Sequence, residues 1–165
     1  MMIQFVHVVK DYSIGISYVG ILAFIMQEIP YLIMPFLKLE SNPIMNLQHE
    51  AKGIEVAQTI CGIFTILMLI FLVREDAVLF PLESTRETFF FSLMLILFFI
   101  NFTGWTVYFR RYHISWLIVS SQFAAVPLYY FCFGMWKQNL PLAWVAIVFF
   151  ILHTVNGYMN FIGTN

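Results

Sequence analysis

The sequence predicts an all-α fold: a polytopic membrane protein built as a single-domain bundle of five transmembrane helices. Three observations carry this expectation. Of 165 residues, 61% are hydrophobic and only 10% charged, far more apolar surface than a soluble domain of this length can hide. Five apolar segments, at 12–37, 54–73, 88–109, 114–134 and 140–161, each reach the ~20 residues that a helix needs to cross a bilayer. The charged residues gather between those segments, and mean hydropathy is +0.85.

Taken in order, residues 1–11 alternate apolar and polar and read as an interfacial stretch or an extension of the first helix. The first segment is too long for a cleaved leader, and no small-x-small site closes it. Within it, Pro30 frees a backbone carbonyl one turn earlier and is expected to kink the helix. The linker 38–53 holds Asn42-Pro43 and then NLQHEAK, a candidate interfacial helix. Ser84 followed by Glu87 matches a capping box and marks the start of helix three. Arg110-Arg111-Tyr112-His113 is a tight turn, so helices three and four should form an antiparallel hairpin. Gly134 can end helix four, and Asn139 can cap helix five ahead of Pro141. Trp105 and Trp116 flank the arginine turn, with Trp136 and Trp144 near the opposite face, as interfacial belts would place them. Gly62, Gly104 and Gly157 would let helices approach closely.

With five crossings, Lys10, Arg74, Arg86 and Lys137 fall on one side, side A, and Lys38, Lys52, Arg110 and Arg111 on the other, side B. The positive-inside count is therefore even. The paired arginines of the shortest loop point side B to the cytoplasm, with the N-terminus outside and the C-terminus inside.

The functional signal is an asymmetry. Glu28 lies near the middle of the first apolar run, and an intramembrane acid is by default either paired or put to use. Its polar company sits mostly in the side B halves: Gln27; Glu55, Gln58 and Thr59; Asn101, Thr103 and Thr106; Ser120, Ser121 and Gln122; His153, Asn156 and Asn160. His153, Asn156, Gly157 and Asn160 share one helix face, as do Glu55, Gln58, Gly62 and Thr65, and also Asn101, Trp105 and Tyr108. Polar stripes in lipid must turn inward or toward water. The candidate ligand-binding residues are thus Glu28, Gln27, Gln58, Asn101, Trp105, Gln122, His153, Asn156 and Asn160.

A net charge of −1 without a basic stretch gives no basis for nucleic-acid binding. No CxxC or HExxH pattern occurs, so no metal or cofactor is expected and no catalytic residue is assigned. Cys61 and Cys132 fall near opposite faces, too far apart for a bridge. The leading expectation is binding or transport of a small or amphipathic ligand, with membrane lipid as surroundings. An alternative is an accessory or structural subunit whose polar stripes pair with a membrane protein partner. A second alternative is an enzyme acting on a lipidic substrate, with Glu28 and His153 as acid–base pair. In size and span count the chain is similar to small five-helix ligand-binding membrane proteins such as the tryptophan-rich sensory proteins. Their proline- and tryptophan-rich signatures are not found here, so that resemblance implies architecture alone and no residue roles.

Overall fold

The computed structural model describes residues 2–9, 11–37, 44, 52–75 and 78–163. It is mostly helical, and five helical stretches are long and apolar enough to cross a membrane: Tyr18–Phe36, Lys52–Phe71, Thr85–Phe109, Ser115–Trp136 and Leu140–Phe161. The candidate helix in NLQHEAK lies outside the described residues, apart from helical Lys52.

The all-α expectation fails at one end of the bundle, where three strands form an antiparallel sheet in the order β1-β2-β3. Strand β1 is Met2–Val9, β2 is Tyr12–Ser17 and β3 is Leu72–Arg74. Helix α1 therefore begins at Tyr18 rather than at 12 and runs to Ile33, followed by a 3-10 turn over Met34–Phe36. The cause is visible in Tyr12-Ser-Ile-Gly-Ile-Ser17, where large apolar and small residues alternate with a strand's period of two. Helix formation takes over only where Ser17 caps it, its hydroxyl accepting from Gly20 N at 3.0 Å. In β2 the buried face carries Ser13 and Gly15 while Ile14 points outward. Strand β3 pairs Arg74 with Tyr12 and Val73 with Ser13. Just past it, Glu75 fastens the sheet. Its carboxylate accepts from Ser13 Oγ at 2.5 Å and lies 2.5 Å from His7 Nδ1, and these contacts hold the carboxyl below its usual range.

Helix α2 is Lys52–Phe71, and α3 is Thr85–Phe109. The capping box forms as the sequence implies: Ser84 Oγ accepts from Glu87 N, and Glu87 Oε2 accepts from Ser84 N. The fourth span starts as α4, Ser115–Ile118, widens into a π-helical turn over Val119–Ala124, and continues as α5, Ala125–Trp136. Gly134 does not end it. Its missing side chain instead admits Ala143 N of α6, Leu140–Phe161, which a Cβ would meet at 2.9 Å. Asn139 does cap α6, accepting from Leu142 N at 3.2 Å.

The fourth span is the hub. Along its apolar stretch 72% of residues are buried, against 11% for α2, and α3 and α6 pack most closely against it while α2 packs on α6. Its π turn wedges between two glycines. A Cβ on Gly104 of α3 would lie 1.9 Å from Ser121 Oγ, and one on Gly157 of α6 would lie 2.4 Å from the Phe123 ring. Close approach at these two glycines is what the sequence anticipates. Gly62 meets Phe149 only at ordinary contact distance, 3.5 Å.

Tryptophan placement divides. Trp116 and Trp144 are exposed, as belt residues would be, but Trp105 and Trp136 are each only 1% exposed. Trp136 donates its indole N–H to Pro81 O at 2.7 Å, and Trp105 packs edge-on against Tyr31 with ring centroids 4.8 Å apart. Both belong to the core: Trp105 clusters with Ile118 and Phe123 of the hub, and Trp136, on the hub itself, packs against Phe91 of α3 with ring centroids 4.8 Å apart.

Candidate functional site: a polar half and an open half

Call the end with the sheet the strand end (side A) and the opposite one the far end (side B). The far-end polar residues do meet across helices, but in separate seams. Between α3 and the π turn, Asn101 Nδ2 donates to Ser121 O at 2.8 Å and to Gln122 Oε1 at 3.1 Å. Gln122 Nε2 in turn donates to Ser121 Oγ at 3.2 Å. A π turn upsets the regular backbone ladder, and a side-chain amide pairing a carbonyl there stabilises it. Between α2 and α6, His153 Nδ1 lies 3.0 Å from Gln58 Oε1, its ring stacked between Phe123 and Phe149. Along α6, Asn160 Nδ2 donates to both Asn156 O and Asn156 Oδ1 at 3.0 Å. Glu28 of α1 accepts from Tyr130 of α5 at 3.2 Å, and Tyr129 donates to Ala23 O at 3.2 Å. No hydrogen bond joins Glu28 to His153, so the residues of the suggested acid–base pair have different partners.

Several groups in this half remain unsatisfied. Gln27 is fully buried with neither amide atom bonded, and Asn101 Oδ1, Trp105 Nε1, Thr154 Oγ1 and Asn156 Nδ2 also lack partners. Helices α1 and α3 run in the same direction. The Tyr31–Trp105 contact therefore places Gln27 and Asn101, each four residues earlier, at a similar level. Gln27, Asn101, Gln122 and Asn156 are at most 1% exposed, so they face the interior of the bundle.

The strand end differs in kind. A cavity of about 270 Å³ lies among β2, β3, the 78–79 segment and the ends of α2 and α5, with Ser17, Arg74, Lys137 and Asn139 as its polar lining. A second cavity, about 260 Å³, is a cleft between α1 and α3 with no polar lining surface. Its walls include Leu22, Met26, Leu95, Phe98 and Phe99, and Val19 and Phe133 line both cavities. Ligand sites typically span ~300–1,000 Å³, a range the two reach only together.

The polar lining is braced from below. Asn139 Nδ2 donates to Leu72 O at 2.8 Å, tying β3 to the start of α6. Arg74 donates to Gln138 Oε1, and Gln138 Nε2 donates to Glu87 Oε1 at 3.1 Å. Lys137 donates to Val78 O and to Leu79 O, its ammonium 5.2 Å from the Trp136 ring centroid. Burial pushes that ammonium down to about 8, an effect the nearby Glu87 charge partly offsets.

None of these strand-end residues is among the candidates read from sequence. Arg74 and Lys137 stand out there only as topology charges, and the cleft walls look like any lipid-facing helix. Among the described residues, no three His, Cys, Asp or Glu side chains cluster so as to hold a metal. No protein-family model, curated protein or solved structure matches this chain, so its chemistry has to be argued from the residues alone.

Proposed function

We propose that this chain is an integral membrane protein that binds, and in doing so carries or presents, an amphipathic ligand at its strand end. One observation carries the reading: a polar, cation-bearing cavity and a wholly apolar cleft share Val19 and Phe133 as a common wall. A ligand with one charged or polar end and one hydrocarbon end matches such a pair without leaving polar groups in lipid. The paired Arg110 and Arg111 favour a cytoplasmic far end, which sets the strand end and its cavity outside.

The test is to fill the cleft. Leu95 is 39% exposed on the cleft wall, so Leu95→Trp adds bulk there without entering the packed seams. Native mass spectrometry of gently extracted wild type should show a bound amphiphile that Leu95→Trp loses while its unfolding temperature stays unchanged. Ligand retained in full by Leu95→Trp would refute the cleft.

A second reading has its own observation. The unpaired atoms of Gln27 and Asn101 offer both donors and acceptors just beyond Met26, at the far-end limit of the cleft, with the unpaired indole N–H of Trp105 one helical turn farther on. A neutral donor–acceptor group such as a hydroxyl or amide, entering past Met26, would satisfy them. Loss of the bound mass in Gln27→Leu but not in Leu95→Trp would favour it. The accessory-subunit reading has less support, because the most buried of the polar stripes face inward.

A further inference from the structure

We propose that the strand-end cavity holds the anionic headgroup of a membrane lipid, contacted by Arg74 and Lys137, with one acyl chain of the same lipid lying in the cleft between α1 and α3. This rests on the amphiphile reading above and adds the sign of the headgroup charge.

The argument is charge complementarity. Arg74 at the end of β3 and Lys137 just past α5 converge on one cavity, and both also line a smaller one of about 80 Å³ with Glu87. The local carboxylate is already committed: Glu87 accepts from Glu83 N, Ser84 N and Gln138 Nε2, each at 3.0 or 3.1 Å. Arg74 bonds a neutral amide oxygen and Lys137 bonds backbone carbonyls, so neither cation forms an ion pair among the described residues. Among the described residues that line the two cavities, two cations thus stand against one occupied carboxylate. Burial makes the Lys137 ammonium costly and the Glu87 charge offsets that only in part, so the site favours a further negative charge. A phosphate diester would supply the missing charge, and the guanidinium fork suits it.

Adjacency to the cleft selects a lipid over a free anion. The cavity's inner wall, Val19 and Phe133, is also the cleft's, and the cleft offers an attached tail no polar surface at all. Phe98 and Phe99 line it farther along α3, so a chain can follow the helix toward the bundle's middle.

The experiment is lipid titration by native mass spectrometry on the full chain, with phosphatidylglycerol and phosphatidylcholine of identical acyl chains. Wild type should bind phosphatidylglycerol about tenfold more tightly. The double variant Arg74→Gln/Lys137→Gln should lose that preference, binding the two lipids equally. Arg74→Lys should keep the preference, showing that charge and not folding is being read. Leu95→Trp should weaken both lipids. Equal binding of the two lipids by wild type, or a preference that survives the double variant, overturns the anionic headgroup. If Leu95→Trp still weakens both lipids in that case, the amphiphile reading stands. If Leu95→Trp alters neither lipid, the amphiphile reading falls too.

Discussion

The two halves of the bundle contain opposite kinds of residue and use them in opposite ways. The far end is rich in amides and hydroxyls, and apart from Gln27 the main amides pair with one another or with neighbours: Asn101 with Ser121 and Gln122, His153 with Gln58, Asn160 with Asn156. The strand end is mostly aromatic and aliphatic, yet it has the space, with cavities of about 270 and 260 Å³. Polarity in a helical bundle therefore marks where helices are fastened, and openness marks where a ligand can enter. Interhelical amide bonds are individually weak, about 0.6 kcal/mol on average, so fastening takes many of them. Filling space with aromatic rings is harder, because rigid rings pack with gaps between them.

The largest effect should come from forcing the closed half open. Gly104→Val places carbon where Ser121 Oγ and Gln122 Nε2 already sit, at 1.9 and 2.9 Å from a Cβ. Overpacking of this kind costs about 1–3 kcal/mol, and here the π turn must shift as well. Thermal unfolding in detergent should fall by several degrees, whereas Leu95→Trp at the open half should leave it unchanged. A Gly104→Val protein as stable as wild type would mean the seam is not closed, and the contrast between the halves would fail.

A smaller and sharper contrast lies within the closed half. Asn101→Leu strands the Ser121 carbonyl and the Gln122 amide oxygen, and should destabilise by about 1–2 kcal/mol. Gln27→Leu breaks no bond and removes an unpaired buried amide, so it should be neutral or stabilising by up to about 2 kcal/mol. Chemical denaturation of both variants, apo and lipid-loaded, checks the pair. A Gln27→Leu variant that is destabilised only when lipid is bound would show Gln27 contacting the ligand.

Much of the frame is legible in sequence, because it depends on local signals. Span length, the Ser84–Glu87 capping box and the Asn139 cap are each written within a few residues. The strands are missed where local signals compete. Tyr12–Ser17 is apolar enough to be absorbed into a hydropathy window, although its period of two continues the alternation of residues 1–11. The π turn leaves no pattern at all, since it is a response to Gly104 and Gly157 on other helices. Interhelical pairing of the polar stripes is foreseeable from helix faces, but their separation into seams depends on which helices become neighbours. The strand-end cavity is the least legible feature. It joins Arg74 of β3 and Lys137 at the end of α5, which only the three-dimensional path brings together, and no polar stripe announces the cleft.

The smallest predicted effect concerns Lys137 and runs with opposite signs in stability and in binding. Burial lowers its ammonium in the folded protein to about 8, from an ordinary 10.5 in the unfolded chain. Between those values the unfolded chain holds the extra proton, so folding stability rises with pH from about 8 toward 10.5 and is flat below. The rise should be modest, because the group is only partly enclosed and Glu87 opposes the shift. Binding of an anionic lipid should move the other way. Its charge favours the ammonium, so the preference for phosphatidylglycerol over phosphatidylcholine should weaken above pH 8 and settle at the level that Arg74 alone sustains. Lipid titrations at pH 7 and pH 10, with Lys137→Gln as the pH-insensitive reference, read this directly. A wild-type preference as strong at pH 10 as at pH 7 would remove Lys137 from the headgroup site and leave Arg74 as its only cation.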